Sequence, residues 1–453
     1  MKKMLPFLML IVLISGCTKE LDDYIEVFKP EYYSSPEMEP GTKSFPYELP
    51  EIKTEKDFEN VIYIDPSGSN GNGTIDSPFN SLNGITIQSN TAYLIKRGTI
   101  LKEKVGRLQA EDSHRVLRDM IWNNNFIGAY GEGARPVVNG FFIWEGSDGL
   151  TIRDLNIRAE SQWSSGWDAV VYIHNVDVKN ITVAYCEISG IYNDSNQKSY
   201  PYAQPSGPFA YPLLGIKAQG HNITIYRNIV KDVWSTGMWI GTTSNLKVVR
   251  NWIHDIVRAY QFIGINKEML TENPNNVSGN CLSFQWEYEN LYVAGNILDK
   301  SASEWKSAFS LGYQKGWGST KRGYIIEYNT FVSPKAGSGG SGTYFVAPPE
   351  SYLRYNLFDG TNQGSQSGCT PITSAGTLIR DHLQQNDPVY ITKNHIIKHR
   401  ADAPATYPDS DEYFANCNKV FDTFAEYNQY LKEKGAVRFG SDIDKNNFWE
   451  DIY

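Results

Sequence analysis

Tyr172, His174, Lys217 and Glu287 carry side chains suited to proton transfer and charge stabilisation. The same stretch of chain supplies Trp239 and Trp286, whose flat faces suit sugar rings, and Gln219 and Gln285, whose amides suit hydroxyls. His221 and Arg258 add further hydrogen-bonding groups. Such a set fits lyase cleavage of a uronate-containing polymer. A base removes the proton beside the carboxylate, a cation stabilises the enolate, and an acid protonates the leaving oxygen. Lys217 suits the base or the enolate stabiliser, with Tyr172 and His174 as proton carriers.

Two other chemistries compete. A glycoside hydrolase needs two carboxylates about 5–9.5 Å apart. Glu287 would be one of them, with Asp168, Glu145 or Glu304 reaching in from flanking turns. A non-catalytic glycan-binding protein would use Trp239 and Trp286 equally well. Asp232, Asp255 and Asp299 each follow an Asn at similar offsets, and read as turn residues and not as metal ligands. No metal site and no cofactor is expected, although calcium remains open as an addition.

The elements that position these residues show as a repeat. Asn222-Ile-Thr-Ile-Tyr-Arg-Asn228, Asn245-Leu-Lys-Val-Val-Arg-Asn251 and Asn290-Leu-Tyr-Val-Ala-Gly-Asn296 share two Asn marks around a short apolar-alternating run. Asn180 to Cys186 has Cys at the second mark, Gly323 to Asn329 and Glu350 to Asn356 lack the first Asn, and Asp148 to Asp154 is an earlier relative. A fixed strand with variable insertions between copies is the signature of stacked coils. Alternating Ile, Val and Leu put one strand face into a continuous core. Asn tolerates the backbone of a tight bend, and stacked Asn side chains can bond from coil to coil.

The sequence resembles the right-handed parallel β-helix proteins that act on carbohydrates, both polysaccharide lyases and glycoside hydrolases. The resemblance rests on these copies and on Tyr63 to Gly73, Ser77-Pro-Phe79, Leu94 to Gly98 and Gly128 to Gly140. It implies an all-β, single-stranded solenoid with a short N-terminal capping helix and a C-terminal helix. It also implies that the strand before the first Asn mark lines the substrate groove. Alternation along those strands sends Ile173, Ile216, Ala218, Met238, Ile240, Leu282, Phe284, Phe309 and Leu311 inward. The outward positions then form one lane of Tyr172, Lys217, Trp239, Ser283 and Ser310, and a second of His174, Gln219, Gly241, Gln285 and Gly312. His221, Thr243, Glu287 and Gln314 stand beyond it. Arg258 and His254-Asp255 fall in a bend and loop near the groove.

The remaining segments frame this domain. Met1-Lys-Lys3, the apolar run Leu5 to Ile14 and Ile14-Ser-Gly-Cys17 resemble a bacterial lipoprotein signal, with Cys17 as the lipidated residue. The expected organisation is signal peptide 1–17, tether 18–57, β-helix 58–415 and helical cap 416–453. In the cap, Val420, Phe421, Phe424, Tyr427 and Leu431 recur at helical spacing. Cys186 and Cys281 read as small buried hydrophobes, while Cys369 and Cys417 could pair. With 42 basic and 51 acidic residues, the net charge of −9 argues against a nucleic-acid partner. The expected partners are a polysaccharide and, through lipid alone, a membrane. The chain is expected to be a monomer on the outer membrane, cell surface or periplasmic face.

Overall fold

The computed structural model describes residues 48–103, 105, 120–158, 169–190, 214–233, 236–256, 280–284, 288–300, 309–311, 324–332, 343–345, 351–359, 389–392, 395–397 and 419–421, together with 429, 441, 443, 445, 448 and 449. The chain is a right-handed parallel β-helix: among the described residues every strand pairing between coils is parallel, and successive coils stack in sequence order. Among the described residues, one 16-stranded sheet and one 11-stranded sheet run along it. The larger sheet bends to make two faces, because the strands Leu214–Tyr226 and Thr236–Val249 pass a corner without a break. We call these the groove face and the middle face; the smaller sheet is the rear face.

Alternation builds the core. On the rear face Ile157, Ile188, Val230, Ile253, Leu298 and Phe331 stack in register, each at most 1% exposed. On the middle face Val183, Ile225, Val248, Val293 and Ile326 do the same, all fully buried. Burying each such side chain contributes about 1.5–3 kcal/mol, and in-register stacking sums this along the solenoid.

The two Asn marks are the two ends of the middle face. At the first, Asn180, Asn222, Asn245 and Asn290 hold φ between 52° and 56° and form an exposed ladder, with amide-to-carbonyl distances of 2.8–3.0 Å. At the second, Asn228, Asn251, Asn296, Asn329 and Asn356 are fully buried. Each Oδ1 from Asn251 onward accepts both the backbone N–H and the side-chain amide of the preceding Asn, at 2.8–3.0 Å. Cys186 ends this ladder, its N–H donating to Asn228 Oδ1 at 2.9 Å. The earliest copy sits one residue later than its sequence suggests: Lys179 pairs with Asp148, so Gly149 and Leu155 occupy the marks.

The N-terminal cap does not take the expected form, and the C-terminal one departs from it at Val420 and Phe421. After Ser77-Pro-Phe79 the chain makes turns, and Leu82, Ile85 and Ile87 cover the first coils from irregular backbone. The described helix at this end is a single 3₁₀ turn, Glu55–Asp57. At the other end Lys419–Phe421 is a strand paired with His395–Ile397, so Val420 and Phe421 extend the rear sheet past residue 415. Alternation over three residues satisfied that sheet as well as it satisfied a helix. Gln429 is helical; most of residues 422–440 lie outside the described residues.

Ser441, Ile443, Lys445, Phe448 and Trp449 lie across the rear face. Ser441 Oγ donates to the Gly295 carbonyl, Lys445 bridges Asp299 at 2.7 Å, and Arg227 donates to the Phe448 carbonyl at 2.7 Å. Ile443 and Phe448 pack with Ile229 and Ile297, and Trp449 stacks beneath Arg135 at 3.9 Å. One short segment therefore ties together coils spaced from Thr330 back to Arg135.

Candidate functional site

The inward side chains fix what faces out. Ile173, Ile216, Ala218, Met238, Ile240, Leu282 and Phe284 are at most 1% exposed, which turns the residues between them to the outer surface of the groove face. Register then places Tyr172 beside Lys217, Lys217 beside Trp239, Trp239 beside Ser283, and Ser283 beside Ser310. Tyr172, Lys217, Trp239 and Ser283 of the expected first lane thus stand side by side, and the register continues beyond them at both ends. Phe142 precedes Tyr172 and Tyr344 follows Ser310.

Tyr172, His174 and Lys217 come together. The Tyr172 hydroxyl lies 2.9 Å from His174 Nδ1. The Lys217 ammonium lies 4.6 Å from the centre of the Tyr172 ring and 5.1 Å from that of Trp239, bracketed by two aromatic rings. Such rings attract a cation by about 0.5–2 kcal/mol each. Tyr172 is 7% exposed, with the Phe142 ring edge-on at 5.0 Å; His174, Lys217 and Trp239 are half-buried. The imidazole is stacked on Trp144 at 4.7 Å, and Trp144 in turn on Phe142 at 5.2 Å.

Trp144 and Phe142 are site residues that the sequence reading missed. Their strand Phe141–Ile143 precedes a bend marked by Gly149 in place of Asn, so the copy was under-read. The run Phe141-Phe-Ile-Trp144 does repeat the pattern of Val171-Tyr-Ile-His174.

Gln219 and Gly241 occupy the second lane as expected. A Cβ on Gly241 would stand 2.7 Å from Gln219 Cγ and 2.9 Å from Trp239 Cζ3. The missing side chain thus leaves a space that Gln219 and the edge of Trp239 both border. Ser283 is 1% exposed and its Oγ has no hydrogen-bond partner. An orphaned buried hydroxyl typically costs about 1–3 kcal/mol.

His221 leaves the groove. Gly220, at φ 134°, turns the chain onto the middle face, where a Cβ would meet the Val178 carbonyl at 2.4 Å. Beyond that turn His221 pairs with Ser244, its Nδ1 2.6 Å from Ser244 Oγ. Thr243 pairs with Gly220 and not with His221, because the strand holding it carries one extra residue at the corner. His254 and Asp255 likewise stand away from the groove. His254 ends the rear-face strand Trp252–His254, stacked on Trp252 at 4.1 Å, and Asp255 takes a turn conformation at φ 53°.

Glu145 is exposed at the rim, accepting from Asn175 Nδ2 at 2.8 Å. Asn175 directly follows His174 and holds φ 88°, a conformation that costs about 1–2 kcal/mol for a residue with a side chain. Glu287, Gln285, Trp286, Arg258, Asp168, Glu304 and Cys17 lie outside the described residues, as do Gly312, Gln314, Cys369 and Cys417. So do most of the insertions at 190–212, 257–280 and 360–385. Among the described residues no three His, Cys, Asp or Glu side chains are grouped as a metal site would need. Cys186 and Cys281 are free and buried, and burial pushes the Cys186 thiol up to about 12.

No family model and no curated protein matches the sequence. Solved structures do. A GH136 lacto-N-biosidase from Eubacterium ramulus is 14% identical with a TM-score of 0.40, over 75% of this chain and 56% of that one. Pectate lyase Pel9A is 14% identical with a TM-score of 0.30, over 68% and 79%. The Dettilon tailspike protein is 12% identical with a TM-score of 0.36, over 76% and 64%. The chain thus spans little more than half the length of the lacto-N-biosidase chain. These likenesses are ones of coil architecture, and the arrangement of the groove stands on this chain's own register.

Proposed function

We propose that the protein is a surface-anchored enzyme that cleaves an acidic, uronate-containing polysaccharide by β-elimination. The observation that carries the reading is the cluster on the groove face: a phenol and an imidazole joined at 2.9 Å, beside an ammonium held between two rings. The bracketed Lys217 suits the electrostatic role more than the base. It would neutralise the uronate carboxylate and the enolate that forms from it.

The Tyr172–His174 pair supplies the proton steps. One hydrogen bond serves both tautomers of the pair, phenol to Nδ1 or imidazolium to phenolate; from the second, the phenolate takes the proton beside the carboxylate and the imidazolium gives one to the leaving oxygen, which returns the pair to phenol and imidazole. Removing the proton beside the carboxylate places the electron pair in the enolate. Its collapse forms the carbon–carbon double bond and expels the glycosidic oxygen, which takes a proton to become the new chain end. Trp144 and Trp239 offer the aromatic surface on which neighbouring sugars pack.

Incubation with a panel of glycans tests this, following new reducing ends and the ultraviolet absorbance of the conjugated double bond. Both signals support the lyase; new ends without absorbance indicate a hydrolase; binding without either indicates a lectin-like role. Lys217→Ala is expected to abolish both signals while the far-ultraviolet spectrum stays unchanged, and undiminished turnover would reject the role given to Lys217. Chelator is expected to leave turnover unaltered. Lipidation at Cys17 anchors the protein in this reading, and Cys17→Ser is expected to move it from the detergent phase to the aqueous phase.

A further inference from the structure

Beyond Lys217 the groove changes character. Towards the N-terminal coils the lane is aromatic and cationic: Phe142, Trp144, Tyr172, His174 and then Lys217. Towards the C-terminal coils it runs through Trp239 to Ser283, with Ser310 at the next register position. Two observations meet at Trp239. The Gln219 amide and the Trp239 edge both border the space that Gly241 leaves. Ser283, its neighbour one coil on, is buried at 1% exposure with an outward hydroxyl that has no partner. Of the buried side-chain atoms without a partner among the described residues, Ser283 Oγ is the one on the groove lane. An amide and a hydroxyl flanking an indole bind hydroxyls and apolar ring faces, and neither group balances a carboxylate.

We propose that Trp239, Gln219 and Ser283 form a subsite for a neutral sugar, adjoining the uronate position at Lys217. The substrate is then a glycan in which uronates alternate with neutral sugars, and not an uninterrupted polyuronate. Successive coils are about 4.8 Å apart, so Ser283 stands roughly 10 Å along the lane from Lys217, about two coil spacings. A single sugar advances the glycan by about half that distance, so with the uronate at Lys217 the neighbouring neutral sugar lies over Trp239 and Gln219, one coil on, and Ser283 borders its far edge. This substrate class rests on the lyase reading above, whereas the subsite itself does not.

The test compares polygalacturonate and polymannuronate, both uninterrupted, with the alternating backbones of rhamnogalacturonan and hyaluronan. Turnover is read by ultraviolet absorbance and binding by tryptophan fluorescence, in the wild-type protein, Ser283→Ala and Ser283→Val. An alternating polymer is expected to be preferred, with Ser283→Val raising its KM or Kd about tenfold. Ser283→Ala is expected to keep or raise the melting temperature, since it removes an unpaired hydroxyl. Equal or better use of an uninterrupted polyuronate overturns the substrate class while leaving the lyase reading intact. If no polymer yields the double bond, the lyase reading fails and binding alone decides. Preferential binding of an alternating polymer, weakened by Ser283→Val, upholds the subsite; equal binding by wild type and variant, or binding of none of the four, overturns it.

Discussion

Asn251 offers the sharpest test of how the coils hold together. Its side chain is fully buried and makes five hydrogen bonds: Oδ1 accepts from the Asn228 backbone and amide, and Nδ2 reaches the Ile225 carbonyl, the Val249 carbonyl and Asn296 Oδ1. Replacement by Ala removes all five and leaves the Asn228 N–H buried without an acceptor. At about 1 kcal/mol net per bond, with about 1–3 kcal/mol for the orphaned donor in addition, the loss is about 6–8 kcal/mol. Asn245 provides the control. It belongs to the exposed ladder, where Ala removes two side-chain bonds and must adopt a φ near 52°. Water replaces those bonds and the backbone strain is about 1–2 kcal/mol, so Asn245→Ala is expected to cost about 2 kcal/mol. Urea denaturation followed by tryptophan fluorescence measures both. Equal losses for the two variants, or less than about 1 kcal/mol for Asn251→Ala, would refute the view that the inner ladder clamps the coils.

Lys300 is fully enclosed, donating to the Ile256 carbonyl at 3.4 Å, and burial pulls its ammonium down to about 8, with Cys281 a smaller opposing influence. Relative to the ordinary lysine value of 10.5 this corresponds to a cost of about 3 kcal/mol, full below pH 8 and relieved as pH rises from 8 towards 10.5, where the unfolded chain alone holds the proton. Lys300→Met is expected to stabilise the protein at pH 7 and to lose most of that gain near pH 10, as denaturation midpoints at the two pH values would record; a destabilised variant at pH 7 would contradict this. Phe448 seals the rear face beside Trp252, Ile229 and Ile297, so Phe448→Ala should cost about 3 kcal/mol and open the 441–449 segment to proteolysis. Protease resistance equal to wild type would argue against that tie.

The groove lane was legible in the sequence because alternation is a local signal. Once Ile173, Ile216, Met238 and Leu282 point inward, Tyr172, Lys217, Trp239 and Ser283 have nowhere else to face. The first Asn marks were legible because a left-handed bend selects that residue wherever Gly is not used, and the second because stacked amides bond from coil to coil. What was not legible depended on corners and insertions. His221 is two residues past Gln219 and would share its face on a straight strand, but Gly220 turns the chain between them. The Trp144 platform was hidden because Gly149 and Leu155 stand where other coils have Asn or Cys. The cover over the first coils comes from Leu82, Ile85 and Ile87 in irregular backbone, which has no period to read.

Tyr172→Phe is the variant that isolates the proposed chemistry. It keeps the ring against which Lys217 and Phe142 pack and removes only the oxygen 2.9 Å from His174 Nδ1. Measured as the rate of double-bond formation on an acidic glycan that the wild type cleaves, activity is expected to fall by about 10²–10⁴-fold, with the melting temperature and glycan affinity nearly unchanged. A Tyr172→Phe protein that forms the unsaturated product at the wild-type rate would contradict the assignment of proton transfer to this pair.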